Sequence, residues 1–476
     1  MSLKFTDEVI SKLFGSEDAE SESIERLKEY FFKKDTYLSV TSNLKLRLLV
    51  GHKGTGKSAL FKIAISEDVT NNNLSVLIKP DDIDGIATEK ASFNERIRQW
   101  KNGLLSIVRE KVFATFNLKD DSNEYISKSL RIVSFLHDTF TKLNTNANLE
   151  PSKKMLCEKF LKKQQIVVYI DDLDRGWSGT YSDIERISAL LNAARDLSNE
   201  NEGLLFKISL RTDVYYLVRT SDESTDKIQG SVVWCDWENH EIFVLLIKRI
   251  LTYFGDTVDE EELLRTPQSD LITRLDSVME TTFYGKGKWS EKPMYNVLLS
   301  MVRRRPRDIV KLCSLAAKKA YQEKTEKIYT RHFNSVFSEY SNDRIQDTIN
   351  EYKSELPNIK ELIFGMKPTS VQKRSGKGFI YTSDELFKKI RSIINANQSI
   401  KDRNGNKLTE KQIAQFLYKI GFLTATKQTD NAIDRKYFAT SQYLLSANVD
   451  FGYNWEVHPA FRWALQPDFD ELIYST

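Results

Sequence analysis

A chain of 476 residues is too long for one hydrophobic core of ordinary size, so two or three domains are expected. With 40% hydrophobic and 29% charged residues it has the composition of a globular protein, and its net charge of +3 leaves only local patches to meet nucleic acid. No apolar run is long enough to cross a bilayer and the first 14 residues lack a signal-peptide core, so a soluble, cytoplasmic protein with no membrane partner is expected.

Residues 1–40 read as an N-terminal helical segment: Asp18, Glu20, Glu22 and Glu25 lie early in a stretch where Ile24, Leu27, Tyr30 and Phe31 keep helical spacing. An α/β core is expected over 41–255. It opens with an apolar strand at 46–50, a glycine-rich turn and a helix at 58–65. A second strand at 74–78 ends at Pro80 and the acids Asp81, Asp82 and Asp84. A helical insertion fills 91–163, with polar breaks at 117–123 and 144–151. Strands at 166–170, 205–210 and 231–234 then alternate with helices at 184–197 and 240–254, the pattern of a parallel sheet with helices on both faces.

After 255 the strands stop. Residues 256–325 read as a helical lid whose last helix begins at Pro306, and 326–367 as linker helices. Residues 368–476 read as a winged-helix-like domain. A basic loop (Lys373, Arg374, Gly376, Lys377, Gly378) leads to a helix capped at Ser383, then to an Asn404-Gly405 turn and a helix capped at Thr409. That second helix carries Ile413, Phe416, Leu417 and Ile420 on one face; β-rich runs at 437–445 and 453–457, joined by 446–452, supply the hairpin. The three cysteines (Cys157, Cys235, Cys313) are far apart and, like the five histidines, match no metal spacing; they read as buried thiols.

Gly51-His52-Lys53-Gly54-Thr55-Gly56-Lys57-Ser58 satisfies G-x-x-x-x-G-K-[ST] between a strand and a helix, the context that gives the pattern its meaning. Glycines let successive backbone N–H groups turn inward around phosphates, and the helix start adds its positive dipole end. Lys57 is assigned to the β- and γ-phosphates of ATP, and Ser58 to the Mg2+ shell. A second motif follows the strand at 166–170: Asp171 is assigned to Mg2+, and Asp172 to orienting or deprotonating the attacking water.

Asp171-Asp172-Leu173-Asp174-Arg175 resembles the D-D-L-D-R signature of bacterial KAP-type ATPases, and related acids mark the STAND signalling ATPases; both stand beside AAA+ proteins in the additional-strand P-loop class. The resemblance covers roughly residues 20–320, without the transmembrane insertion of many KAP proteins. It implies strand order 5-1-4-3-2, with a polar sensor after the fourth strand, for which Arg211 or Thr212 is the candidate. Arg175 is expected to pair with Asp174. Where many hydrolytically active relatives carry Glu, the shorter Asp172 points to slow turnover suited to a switch.

In such proteins a Pro or Arg at the start of the last lid helix reports nucleotide state; here Arg305 or Arg307 is the candidate, weighed against a solvated basic cap. The C-terminal domain serves STAND proteins as a clamp. Lys411, Gln412, Gln415 and Lys419, with Lys401, Arg403 and Lys407 before them, also offer a nucleic-acid surface. The resemblance therefore implies an ATP-hydrolysing regulatory switch that forms homo-oligomers and controls a separate effector protein, in a setting such as bacterial antiphage defence. The alternative is a DNA-associated ATPase acting through 368–476 in repair, replication or element maintenance.

Overall fold

The computed structural model describes residues 3–16, 20–87, 91–117, 132–144, 150–219, 223–375, 378–396, 400–428, 433–441, 443–446 and 452–466. By its internal contacts the chain divides into two compact units, Ala19–Cys235 and Met1–Asp18 with Asp236–Thr476. Helix α1 (Asp7–Phe14), capped by the Thr6 hydroxyl, belongs to the latter.

The Ala19–Cys235 unit begins with α2 (Ile24–Tyr30) and α3 (Asp35–Thr41). Ser23 caps α2, so of the early acids only Glu25 falls in its first turn. Strand β1 (Leu46–Gly51), α4 (Lys57–Thr70) and β2 (Leu74–Ile78) follow. The insertion supplies α5 (Phe93–Phe116), α6 (Ile132–Asn144) and α7 (Pro151–Lys163). Then come β3 (Ile166–Ile170), α8 (Tyr181–Glu200), β4 (Leu204–Arg211), α9 (Thr212–Arg219) and β5 (Val232–Trp234). Helix α8 starts before the expected 184 because Thr180 and Asp183 close a capping box.

All five strands run parallel in the order 5-1-4-3-2, with β4 between β1 and β3, as the resemblance implies. Central strands are apolar on both faces because both are covered. Leu48 and Val50 pack with Leu104, Val108 and Leu190, while Leu49 packs with Phe61, Ala64 and Tyr169 on the other side. Since every strand points the same way, the ends of β1, β3 and β4 share one edge, where ligands of open α/β sheets bind.

The second unit continues with α10 (Asn239–Phe254), α11 (Glu260–Arg265) and α12 (Gln268–Leu271). Next is an antiparallel hairpin, β6 (Thr282–Tyr284) and β7 (Ser290–Pro293), which corrects the expectation that strands stop after 255. Its strands are too short, and their register too broken at Phe283/Tyr284, to leave a period-two signature. Helices α13 (Met294–Met301), α14 (Pro306–Gln322), α15 (Thr330–Tyr352) and α16 (Ile359–Gly365) follow.

The C-terminal part holds α17 (Ser370–Ser375), β8 (Ile380–Tyr381), α18 (Ser383–Ala396), α19 (Glu410–Lys419), β9 (Leu423–Gln428) and β10 (Ile433–Lys436). It ends with α20 (Tyr443–Ser446), β11 (Asn454–Val457) and α21 (Arg462–Leu465). The sheet order β10-β9-β11-β8, antiparallel throughout, with α18 and α19 before the hairpin, is winged-helix-like. Two details differ from expectation. Thr382, not Ser383, caps α18, since its hydroxyl accepts from Glu385 N–H while Glu385 accepts from Thr382 N–H. The hairpin is β9–β10, not 437–445, where Tyr437 O instead accepts from the N–H groups of Thr440 and Ser441 in a turn. The aromatics that suggested a strand there are spent on packing, with Tyr437 under Arg304 and Phe438 against Tyr418. Gly376, Lys377 and most of 446–452 lie outside the described residues.

The run Arg303 to Asp308 anchors α14 to α15 through buried charge. Arg303 grips Asp308 with Nε and Nη2 at 2.8 and 3.0 Å, and Arg344 reaches the same carboxylate at 2.6 Å. Burial by itself would raise the Asp308 pKa, but the two guanidinium groups outweigh it and hold it well below the usual carboxylate range. Asp308→Ala leaves Arg303 buried without a hydrogen-bonded carboxylate, while Arg344 keeps Asp347 at 3.0 Å, so urea unfolding should show a loss of about 3 kcal/mol. A loss under about 1 kcal/mol would show the pair to be replaceable.

Candidate functional site

The loop after β1 is shaped by three glycines. A Cβ at Gly51 would lie 2.7 Å from the Thr55 hydroxyl and 2.9 Å from Cys235 Cβ, so only glycine fits. Gly54 and Gly56 take φ of 85° and 96°, and Gly56 is the N-cap of α4. No side chain caps that end, so the first N–H groups of α4 face the loop with the positive end of the helix dipole. The Lys57 ammonium donates to Gly51 O at 2.8 Å and His52 O at 3.2 Å, folded over the loop. Thr55 closes the turn through its hydroxyl to His52 O (2.9 Å), and Cys235 Sγ donates to Thr55 O from below (3.5 Å). His52, Lys53 and Ser58 complete the loop and the first turn of α4.

Asp171 follows β3 and its N–H bonds to Ile78 O at 3.2 Å. The pairing of Ile170 with Ile208 brings β4 alongside, and the Ser209 hydroxyl donates to Asp171 Oδ1. Ser209 was missed in the sequence. Its signal was a polar residue set, with Lys207, at alternate positions in an otherwise apolar strand.

Asp172 sits in left-handed backbone (φ 62°), and Arg175, not Asp174, is its partner: Arg175 Nη2 lies 3.0 Å from it. The expected Arg175–Asp174 pair is therefore corrected, because the turn after β3 folds residue 175 back over 172 by an Arg175 N–H to Asp172 O bond of 3.0 Å. Burial first, then the charge of Asp174, raise the Asp172 pKa above its ordinary 3.8, with Arg175 opposing.

Arg211 stands opposite Gly51 in the β1–β4 register. It is bidentate to Asp213 (2.9 and 2.5 Å) and reaches Asp174 at 3.1 Å, so it ties the strand end to the acidic turn. Thr212 begins α9 and is buried. The phosphate loop, the paired acids, Arg211 and Thr212 thus gather at one sheet edge.

The two candidate arginines at the start of α14 differ in exposure. Arg305 is buried and bound to Glu351 at 2.9 Å, which leaves Arg307, half-buried in the first turn of α14, as the more accessible of the two candidates. On α19, Gln412 is used by its Thr409 capping box, and Lys419 is bound to Glu355 at 2.7 Å. Lys401 and Lys407 are exposed across a β-bridge. Among the described residues no helix is long and apolar enough to cross a membrane.

The family model described as the FunZ-associated C-terminal helical domain matches residues 261–349. The "Putative transposon gamma-delta 80.3 kDa protein" of Escherichia coli (strain K12) is 21% identical over 464 residues, which take in 89% of this chain and 62% of that protein. The chain therefore spans less than two thirds of this relative's length. Among solved structures, a Walker-type ATPase of Pyrococcus abyssi aligns at 14% identity and a TM-score of 0.40, over 88% of this chain and 97% of that one. The Aeropyrum pernix ORC2 protein, in ADPNP–ADP complexes, aligns at 13% identity and a TM-score of 0.41, over 96% and 92%. The fold of the chain itself, a parallel 5-1-4-3-2 sheet with a glycine-rich loop between β1 and α4, is that of the additional-strand P-loop NTPases.

Proposed function

We propose that this protein is an ATP-binding and ATP-hydrolysing switch that assembles with copies of itself and controls a separate effector protein, in a setting such as defence against phage. One observation carries the nucleotide chemistry: Lys57 folds over a glycine cradle at the same sheet edge as Asp171, which Ser209 holds in place. The cradle fits a triphosphate, because Gly54 and Gly56 take the left-handed backbone that wraps a loop around phosphates and Lys57 supplies the neutralising charge. Gly51 to Ser58 would hold the phosphates, and Ser58 with Asp171 would hold Mg2+, which when bound neutralises charge on the phosphates. Asp172 is the base or water-orienting group, and its contact with Arg175 fits slow turnover. Arg211 or Thr212 senses the γ-phosphate from the end of β4, and Arg307 is the arginine best placed on α14 to report nucleotide state.

The test is the mass of the full-length protein by light scattering, with and without Mg-ATP, alongside phosphate release. An ATP-dependent rise in mass with slow release supports the switch. ATP binding with no change in mass removes the assembly step.

A DNA-associated ATPase is the second reading, favoured by the exposed Lys401 and Lys407 and by the likeness to a transposon protein. Duplex DNA binding by the full chain that weakens steeply with salt, and is lost in Lys401→Glu/Lys407→Glu, would support it. The engagement of Lys419 by Glu355 and of Gln412 by Thr409 weighs towards the clamp role for the winged helix.

A further inference from the structure

We infer that the Ala19–Cys235 unit carries a second ligand site, a cavity for a small oxyanion (carboxylate or phosphate monoester), held by Lys159, Lys163 and Lys207 at the sheet edge opposite the phosphate loop. The cavity, of about 210 Å³, lies among the C-terminal ends of α4 and α7 and the first residues of β2, β3 and β4. That volume equals about seven waters at roughly 30 Å³ each, enough for an inorganic anion or a small dicarboxylate and too little for a nucleotide.

Lys207 is the feature that needs explaining. It is 1% exposed, in the middle of a central strand whose other residues are mostly apolar, where an aliphatic side chain would carry no desolvation cost. Its ammonium donates to Ser42 O at 2.6 Å and to Leu44 O at 3.1 Å. An ammonium has three N–H donors, so one is left for the cavity that Lys207 lines. Burial first, then the charge of Arg47, lower its amine from 10.5 to about 8 against the opposing charge of Asp68, and a bound anion would favour the charged form further.

The charge balance selects the ligand. Two carboxylates line the cavity, and both are engaged. Glu67 accepts from the Tyr37 hydroxyl (2.5 Å) and pairs with Lys33; Asp68 accepts from the Tyr169 hydroxyl (2.9 Å) and Asn73 (3.1 Å). By contrast, Lys159 has no hydrogen-bond or ion-pair partner among the described residues, and Lys163 reaches only Asn73 Oδ1 at 3.3 Å. With Glu67 matched by Lys33, the three ammonium groups face Asp68 and the C-terminal ends of α4 and α7, about half a unit charge each, which leaves about one positive charge for an anion. The cavity also borders the elements that carry the nucleotide site. Lys207, Ser209 and Arg211 alternate along β4, and Tyr169 lies two residues before Asp171 on the β3 side.

The test uses full-length protein carrying Lys57→Ala, which disables the phosphate loop and leaves the cavity intact, so failure here is separate from failure of the ATPase reading. Isothermal titration with sodium orthophosphate, and separately with sodium succinate, is expected to show millimolar or tighter binding of one of them. Adding Lys159→Gln and Lys163→Gln should weaken that binding at least about tenfold. Lys207→Met should abolish it, and the surface pair decides the matter if Lys207→Met does not fold. Binding of phosphate alone assigns a phosphorylated ligand, and binding of succinate a carboxylate. No binding of either probe up to about 10 mM, or a Kd unmoved by the double substitution, overturns the proposal.

Discussion

Lys57→Ala is expected to raise the Kd for Mg-ATP roughly a thousandfold, about 4 kcal/mol, with a small loss of thermal stability. The ammonium lies 2.8 Å from Gly51 O and 3.2 Å from His52 O, inside the ring of backbone formed by the loop. A triphosphate entering that ring meets a positive charge already in place, in a cleft where a charge acts more strongly than in bulk water. Alanine removes the charge and leaves the glycine geometry of Gly51, Gly54 and Gly56 as it was. Two carbonyls lose a donor, that of Gly51 in a buried residue, which costs folding about 1 kcal/mol. Equilibrium binding of a fluorescent ATP analogue is the measurement. An unchanged affinity would falsify the phosphate-loop assignment.

Asp172→Asn should retain Mg-ATP binding and lower the single-turnover rate of phosphate release roughly a thousandfold. Asparagine is the conservative choice because it tolerates the left-handed backbone at this position, φ 62°. What it removes is the negative charge, and with it any capacity to take a proton from water. The pH profile gives a second readout. Burial, then Asp174, raise the Asp172 pKa above 3.8, so its charged form is lost at a higher pH on acidification than that of an ordinary aspartate. Hydrolysis should therefore fall along an acid limb lying above 3.8, and that limb should vanish in the variant. Turnover at the normal rate in Asp172→Asn would move the base to another residue.

The elements that frame the site were legible because their signals are local. An apolar strand at 46–50, three glycines and a helix start need no distant residue to be understood. The same holds for the run Ile166 to Ile170 before Asp171, and for the cap at Thr409, whereas the capping box at Thr180 was passed over and α8 starts before the expected 184. Where local signals were weak or shared, the reading slipped. Thr382 and Ser383 are both cap residues, and only the reciprocal bond to Glu385 separates them. The aromatics at 437–445 have high strand propensity, yet they serve as packing for Arg304 and Tyr418 rather than as a ladder.

By itself the amino-acid sequence determined the phosphate loop, the acidic pair and the parallel α/β core, since each rests on the conformational freedom or periodicity of neighbouring residues. Which side chains meet was decided only by tertiary structure. Ser209 reaches Asp171 across 38 positions, Arg211 reaches Asp174 across 37, and Arg305 is buried against Glu351, 46 residues away. The reason is physical: a charged or hydroxyl side chain carries no directional preference in the chain until packing removes water and leaves it one partner.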